Sequence, residues 1–206
     1  MPADLVLLVA DKNIEHGVRG LLGRAPALGI RPVTSTIYVH PQHDPACAHT
    51  PHEFLRQFSR DYHRALVLFD HQGCGMEGRA PAEIEADVRQ LLSANGWDRR
   101  ADVVVIVPEL EAWVFAASSS VEACLRWSGT SNPSAVARSP GLWSPQQLKP
   151  ADPKAALEAA LVKLRRSRSS AIYGDLANAV GLGQCQDPAF TRFRTILQDW
   201  FPAAGH

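Results

Sequence analysis

The chain has 206 residues, of which 46% are hydrophobic and 20% charged, and its formal net charge is zero. This length is enough to bury a full core, and it favours one domain with an appended helical part over two equal domains. The four cysteines are widely spaced, and the apolar run between Asp4 and Asp11 is too short for a signal peptide. No stretch approaches the roughly 20 apolar residues of a membrane span, so we expect a soluble, cytoplasmic protein with reduced thiols and no membrane partner.

The predicted secondary structure alternates between strands and helices. Short apolar runs predict strands at 5–10, 32–40, 65–69 and 103–108. Helical patterns follow at 14–22, 53–63, 84–92 and 111–115, and further helices are predicted around 157–164, 171–180 and 190–200. Residues 40–52, rich in Pro and His, are predicted to form a polar loop. This order is typical of an α/β fold with a doubly wound, mostly parallel sheet and a helical C-terminal part.

Charge is divided unevenly along the chain. Residues 1–127 contain 12 Lys and Arg against 16 Asp and Glu, whereas residues 128–206 contain 9 against 5. A segment rich in Ser and Pro at 128–153 marks the boundary. We therefore predict an α/β domain at 1–127 and a helical extension at 128–206 that packs on the same core. The charge balance fits a ligand that contains metal and phosphate, although ordinary surface variation explains it equally well.

Three predicted strands end on a carboxylate. The first leads into Asp11, the third into Asp70 and the fourth into Glu109, with Glu111 two residues later. Because parallel strands present their carboxyl ends along one edge of a sheet, we expect Asp11, Asp70 and Glu109 to lie together there. Gathered carboxylates repel one another unless a cation, a proton or an arginine lies among them, and oxygen ligands suit Mg²⁺ or Mn²⁺. The pattern therefore predicts a divalent-metal site.

Each carboxylate also has a local explanation. Asp11 precedes a helix that it could cap, although Asn13 is an equally suitable cap. Glu109 and Glu111 fall in a first helical turn, where the macrodipole favours acids. Asp70 fits this explanation least well, because it enters a glycine-containing loop with no immediate helix to cap.

Two further groups of residues are candidate sites. His43, Cys47, His49 and His52 could suggest zinc, but their spacing matches no usual structural-zinc pattern, and a solvated loop is favoured. Lys149 and Lys154 lie where a loop meets a predicted helix N-terminus, which favours phosphate binding. The basic residues at 163–168, with Ser170 and Tyr173, could also hold phosphates, although a solvated helix face is the preferred interpretation of 163–168.

Residues 8–15, 68–75 and 108–113 (LVADKNIE, LFDHQGCG and PELEAW) give the chain a family resemblance. The chain resembles small TOPRIM-related proteins of bacterial phage-defence loci, and the closest likeness is to a component of the methylation-associated defence system. That likeness extends over nearly the whole chain. A more remote similarity, to uncharacterised TOPRIM-like proteins, covers residues 5–115.

The resemblance implies a TOPRIM-like site with specific departures. TOPRIM domains use a glutamate after the first strand as acid or base, and an Asp-x-Asp after a later strand to hold Mg²⁺. Asp70 matches the first of these aspartates, while Gln72 stands at the second position. The glutamate position falls at Ala10 or Asp11.

The resemblance and the residues together indicate two alternative functions. The first is Mg²⁺-dependent hydrolysis of phosphodiesters in nucleic acid, with Asp11, Asp70 and Glu109 as metal ligands and Glu111 or Glu15 as base. The second is a non-catalytic sensor or adaptor that binds nucleic acid, a nucleotide or another protein of the same defence system.

Overall fold

A parallel sheet of four strands, in the order β2-β1-β3-β4, forms the centre of the protein. The computed structural model describes residues 2–114, 150, 152–163, 165–179 and 181–203. The strands are β1 (Ala3–Val9), β2 (Ser35–Val39), β3 (Tyr62–Asp70) and β4 (Ala101–Ile106). The predicted α/β fold with a parallel sheet is confirmed, and its TOPRIM-like identity stays a prediction.

Helices connect and cover the strands. In the first part of the chain they are α1 (Lys12–Leu22), α2 (Ala25–Leu28), α3 (His43–His49), α4 (Pro51–Leu55), α5 (Pro81–Leu92) and α6 (Glu111–Val114). After residue 150 they are α7 (Pro153–Lys163), α8 (Ser170–Ala179) and α9 (Pro188–Trp200). Short 3₁₀ segments occupy Arg56–Phe58 and Leu182–Gln184, and a π-type turn, Ser93–Trp97, follows α5.

The prediction for residues 40–63 is wrong in two respects. The expected polar loop at 40–52 contains α3, whose residues 46–48 are buried. The helix expected at 53–63 is α4 followed by the 3₁₀ segment, and residue 62 already belongs to β3. Pro51 explains why α3 and α4 are separate helices. Proline is well placed in the first turn of a helix and disfavours helical backbone in the residue before it.

The helices after residue 150 share a hydrophobic core with the sheet. One cluster of buried side chains joins the strands to Leu157 of α7, Ile172 of α8 and Phe193 of α9. Helix α8 approaches α1 closely at Gly20, where an added Cβ would lie 2.9 Å from the Cβ of Ala177. This close packing near the end of α1 sets the position of α8 relative to that helix. Within the described ranges, no helix has the length and apolar character needed to cross a membrane.

Candidate cation site at the carboxyl edge of the sheet

The strand order creates a natural site between β1 and β3. The chain moves from β1 outward to β2 on one side and from β3 outward to β4 on the other. Such a switch in direction leaves a crevice beyond the carboxyl ends of the two central strands, where open α/β sheets bind ligands. Asp11 follows β1 and Asp70 ends β3, so the two aspartates flank this crevice.

Every strand of the sheet contributes a carboxylate to this edge. We define the acidic cluster by its five residues, Asp11, Asp44, Asp70, Glu109 and Glu111. Burial raises the pKa of Asp70 well above its usual range, and the charges of the four other members raise it further. The structure thus brings the three predicted metal ligands together, while metal binding itself stays a prediction.

Asp70 organises the centre of the cluster. Its backbone N–H donates to Asp44 Oδ1 over 2.8 Å, and its own Oδ1 accepts a hydrogen bond from the Leu110 N–H over 2.9 Å. The second contact fixes the backbone just before α6. Asp70 therefore stabilises the start of a helix, although that helix follows β4 and Asp70 ends β3. Asp70 therefore connects the edges of β2, β3 and β4.

Asp11 does cap α1, as its local explanation proposed. Its Oδ1 accepts a hydrogen bond from the Ile14 N–H over 2.8 Å, and its backbone is extended, as expected of an N-cap residue. Asn13, the alternative cap, instead accepts a hydrogen bond of 2.9 Å from the Ser170 hydroxyl. Ser170 was predicted to bind phosphate, and in this structure it joins α8 to α1.

Glu109 forms an ion pair with Lys154. The Lys154 ammonium lies 2.7 Å from Glu109 Oε1, and this contact raises the pKa of Lys154. Lys154 stands in the first turn of α7, at the helix N-terminus where the sequence places it, and its contact with Glu109 brings that end to the acidic cluster. Lys149, its predicted companion, lies outside the described residues.

Glu111 is anchored by two donors. Its side chain is only 3% exposed, and Oε1 accepts hydrogen bonds from the Tyr173 hydroxyl over 2.5 Å and from Arg168 Nη2 over 2.6 Å. Arg168 also contacts Glu158 over 2.6 Å. Burial, followed by the charge of Glu111, raises the pKa of Tyr173. This arrangement gives Glu111 and Tyr173 a structural role. Arg168 was expected on a solvated helix face, and the structure instead places it at the edge of the acidic cluster.

Glu15, the other predicted base, lies one turn into α1. It pairs with Arg19 over 2.7 Å, an i,i+4 contact along the helix surface. Both residues proposed as bases are therefore engaged in ion pairs.

The sequence gives no sign of Asp44 as a functional candidate, and it presents the neighbouring His43 only as a possible zinc ligand. Burial raises the pKa of Asp44, and the nearby charge of Asp11 adds to the effect. His43 Nδ1 lies 3.0 Å from the carbonyl oxygen of Ala10, which can only accept, so Nδ1 carries the proton in this contact. An acid followed by Pro45 is typical of a first helical turn, and this signal could have identified α3.

The donor set of the cluster suits a divalent cation bound with few protein ligands. Across the described residues, no group of three or more His, Cys, Asp or Glu is placed to hold a metal ion, which includes the histidines and cysteine of residues 43–52. Mg²⁺ often retains several waters and uses one or two carboxylates together with phosphate oxygens. The cluster fits this open type of site and does not form a closed protein cage.

Comparisons of the chain with protein-family models, with curated proteins and with solved structures find no match.

Proposed function

We propose that the protein binds Mg²⁺ or Mn²⁺ at the acidic cluster and, through the cation, a phosphate group of a nucleic acid or nucleotide. In this proposal the protein acts as a sensor or adaptor in an antiphage-defence system and passes the signal to a partner protein. The TOPRIM-like resemblance of the sequence supports the biological setting, and the acidic cluster supports the chemistry.

The uneven neutralisation of the cluster is the observation on which the proposal depends. Glu109 and Glu111 each have a cationic partner, whereas no ion pair within the described ranges involves Asp11, Asp44 or Asp70. Three neighbouring carboxylates with raised pKa values for Asp44 and Asp70 create a demand for positive charge. A divalent cation meets that demand.

Different residues of the site would bind the cation and the phosphate. Asp70 with Asp11 or Asp44 would hold the cation, and a bound cation would neutralise the cluster and attract phosphate oxygens. Lys154, whose side chain is 42% exposed, can shift from Glu109 toward an incoming phosphate. The N-terminus of α7 adds a partial positive charge at the same place.

Hydrolysis of phosphodiesters is the second candidate function, and His43 is the observation that favours it. Its Nδ1 is held by the carbonyl oxygen of Ala10, which leaves Nε2 as the ring nitrogen for proton transfer, and histidine is the side chain most often used in general acid–base catalysis. Binding without hydrolysis is preferred because Glu111 and Glu15 are already held by Arg168 and Arg19.

The cation proposal is tested by thermal unfolding at pH 8 with increasing MnCl₂. Wild-type protein should be stabilised, by about 2.7 kcal/mol when the cation reaches 100 times its Kd. Asp70→Asn and Asp44→Asn should lose most of this stabilisation. Asp98→Asn is the matched control, because Asp98 is exposed and accepts from Ser93 outside the acidic cluster. Equal Mn²⁺ stabilisation of wild type and Asp70→Asn would refute the site.

A second experiment distinguishes the sensor function from the nuclease function. Single- and double-stranded DNA and RNA are incubated with wild type, His43→Gln and Asp70→Asn in Mg²⁺ or Mn²⁺. The sensor proposal predicts no cleavage by any of them and a stable complex with a protein encoded at the native locus. Cleavage by wild type that is lost in both variants would establish hydrolysis instead.

A further inference from the structure

A concentration of arginines lies at the opposite edge of the sheet, where the strands begin. We call this surface the arginine face. Its six members precede or begin β2, β3 and β4, and they are Arg31, Arg56, Arg60, Arg64, Arg99 and Arg100. The proposed cation site does not use this surface, since it lies at the other end of the strands.

The first part of the arginine face is a cleft of about 420 Å³ lined by Arg56, Arg60 and the backbone around Gly96. Arg56 and Arg60 are exposed, and no ion pair within the described part of the chain involves either. Arg100 supports two lining residues of this cleft, because it donates to the carbonyl oxygens of Ser59 and Gly96 over 3.1 and 2.6 Å. The cleft therefore offers two free guanidinium groups on a rigid support.

The second part is a neighbouring cleft of about 350 Å³ that contains an aromatic ring. The guanidinium of Arg64 lies over the Trp200 ring, 5.3 Å from its centroid, and Arg64 also donates to the carbonyl oxygen of Arg99 over 2.8 Å. Trp200 is half-buried, so part of its ring lines the cleft. Arg100 lines this cleft and joins it to the first.

The acidic residues of this surface leave most of its arginines unpaired. Asp4 is bound to Arg31 over 2.6 Å, and Asp98 accepts from Ser93. Asp61 directly precedes β3, and Asp199 lies in the last turn of α9. Within the described residues, neither pairs with any of the six arginines. Five of the six arginines are thus available to an external anion or hold only backbone carbonyls.

We propose that the arginine face binds single-stranded nucleic acid independently of any divalent cation. Arginine matches phosphate geometry with two parallel donors, and an aromatic ring beside it can stack with a base. Positive grooves with aromatic platforms are the usual means of binding single strands without sequence preference. An anionic membrane would be met by a flat or convex surface with an apolar anchor, whereas these arginines line two joined clefts.

The test measures binding of fluorescein-labelled 20-nucleotide oligothymidylate by fluorescence anisotropy, in EDTA and over a range of salt concentrations. EDTA removes divalent cations, so the proposed cation site cannot contribute to this binding. Failure of the arginine face to bind the oligonucleotide is therefore distinguishable from failure of the cation proposal. Arg56→Gln/Arg60→Gln should weaken binding about tenfold at low salt and reduce the slope of log K against log salt by about 1.4. Trp200→Leu, which keeps an apolar side chain, should weaken binding about fivefold or more with little change in slope.

The matched control is Arg19→Gln/Arg79→Gln, which removes the same charge from two arginines that are paired with Glu15 and Asp87. Its affinity and salt slope should equal those of wild type. An equal loss in this control would reduce the effect to net charge and overturn the proposal. Binding to phosphatidylserine vesicles that is lost in Arg56→Gln/Arg60→Gln, without binding to the oligonucleotide, would also overturn it.

Discussion

The buried contact between Glu111 and Tyr173 should be one of the strongest polar interactions in the protein. Replacing Tyr173 by Phe removes the hydroxyl that donates to Glu111 over 2.5 Å and keeps the ring. A carboxylate that is 3% exposed then loses one of its two donors, and water has little access to replace it. The change isolates a single charge-assisted hydrogen bond.

The expected cost follows from the surroundings. Hydrogen bonds to charged groups contribute about 1.5–3 kcal/mol, so Tyr173→Phe should lower the free energy of unfolding by about 2 kcal/mol. Arg168 is 32% exposed, and its contact adds no more than about 1 kcal/mol because solvent screens it. Glu111→Ala loses both contacts and leaves a small cavity, for a total of about 3–4 kcal/mol.

Urea unfolding followed by circular dichroism measures these values. Tyr62→Phe is the matched control, because its hydroxyl donates over 2.8 Å to the neutral hydroxyl of Thr36, and its loss should cost only about 1 kcal/mol. Glu111→Gln combined with Tyr173→Phe should show a coupling energy of about 1 kcal/mol in a double-mutant cycle. If Tyr173→Phe costs no more than Tyr62→Phe, the structural role assigned to Glu111 is wrong.

Three further predictions concern other parts of the fold. The raised pKa of Asp70 means that this carboxyl keeps its proton in the folded protein above about pH 4, where it has lost the proton in the unfolded chain, so its contribution should lower the free energy of unfolding as pH rises through that window. Asp70→Asn should weaken this fall and raise the Tm at pH 8 by about 2–4 °C in calorimetry, and an unchanged pH dependence would count against the charged cluster. Gly20→Val should destabilise the protein by about 2 kcal/mol or more in urea unfolding, because its side chain would collide with Ala177, whereas a neutral effect would show that α1 and α8 separate easily. Asp187→Ala should cost about 2–3 kcal/mol in the same assay, since Asp187 caps α9 and also accepts from the Trp113 indole over 3.0 Å, and a cost below 1 kcal/mol would contradict that double role.

Much of the fold could be predicted because its signals are local. The buried residues Ile14, Val18 and Leu21 repeat with helical spacing, and α1 begins and ends within two residues of the prediction. The strands are continuous apolar runs, and their parallel arrangement follows from the helices between them. The meeting of Asp11 and Asp70 at one edge is a consequence of that topology.

The parts that were missed depend on contacts distant in sequence. Helix α3 is too short to show a clear period, so the sequence predicts a loop at Asp44. Arg168 pairs with Glu111 across 57 positions, and no pattern within residues 163–168 distinguishes that arginine from its solvated neighbours. Lone charged residues reveal their partners only when the fold brings them together.

The distance along the chain between Glu111 and its partners has a consequence for synthesis. The Tyr173 codon is translated 62 residues after that of Glu111. At the usual 5–20 residues per second, the delay is about 3–12 s, during which β1 to β4 have all been made while Glu111 has no hydroxyl to hold it. The nascent sheet therefore carries an acidic edge without its covering helix for several seconds.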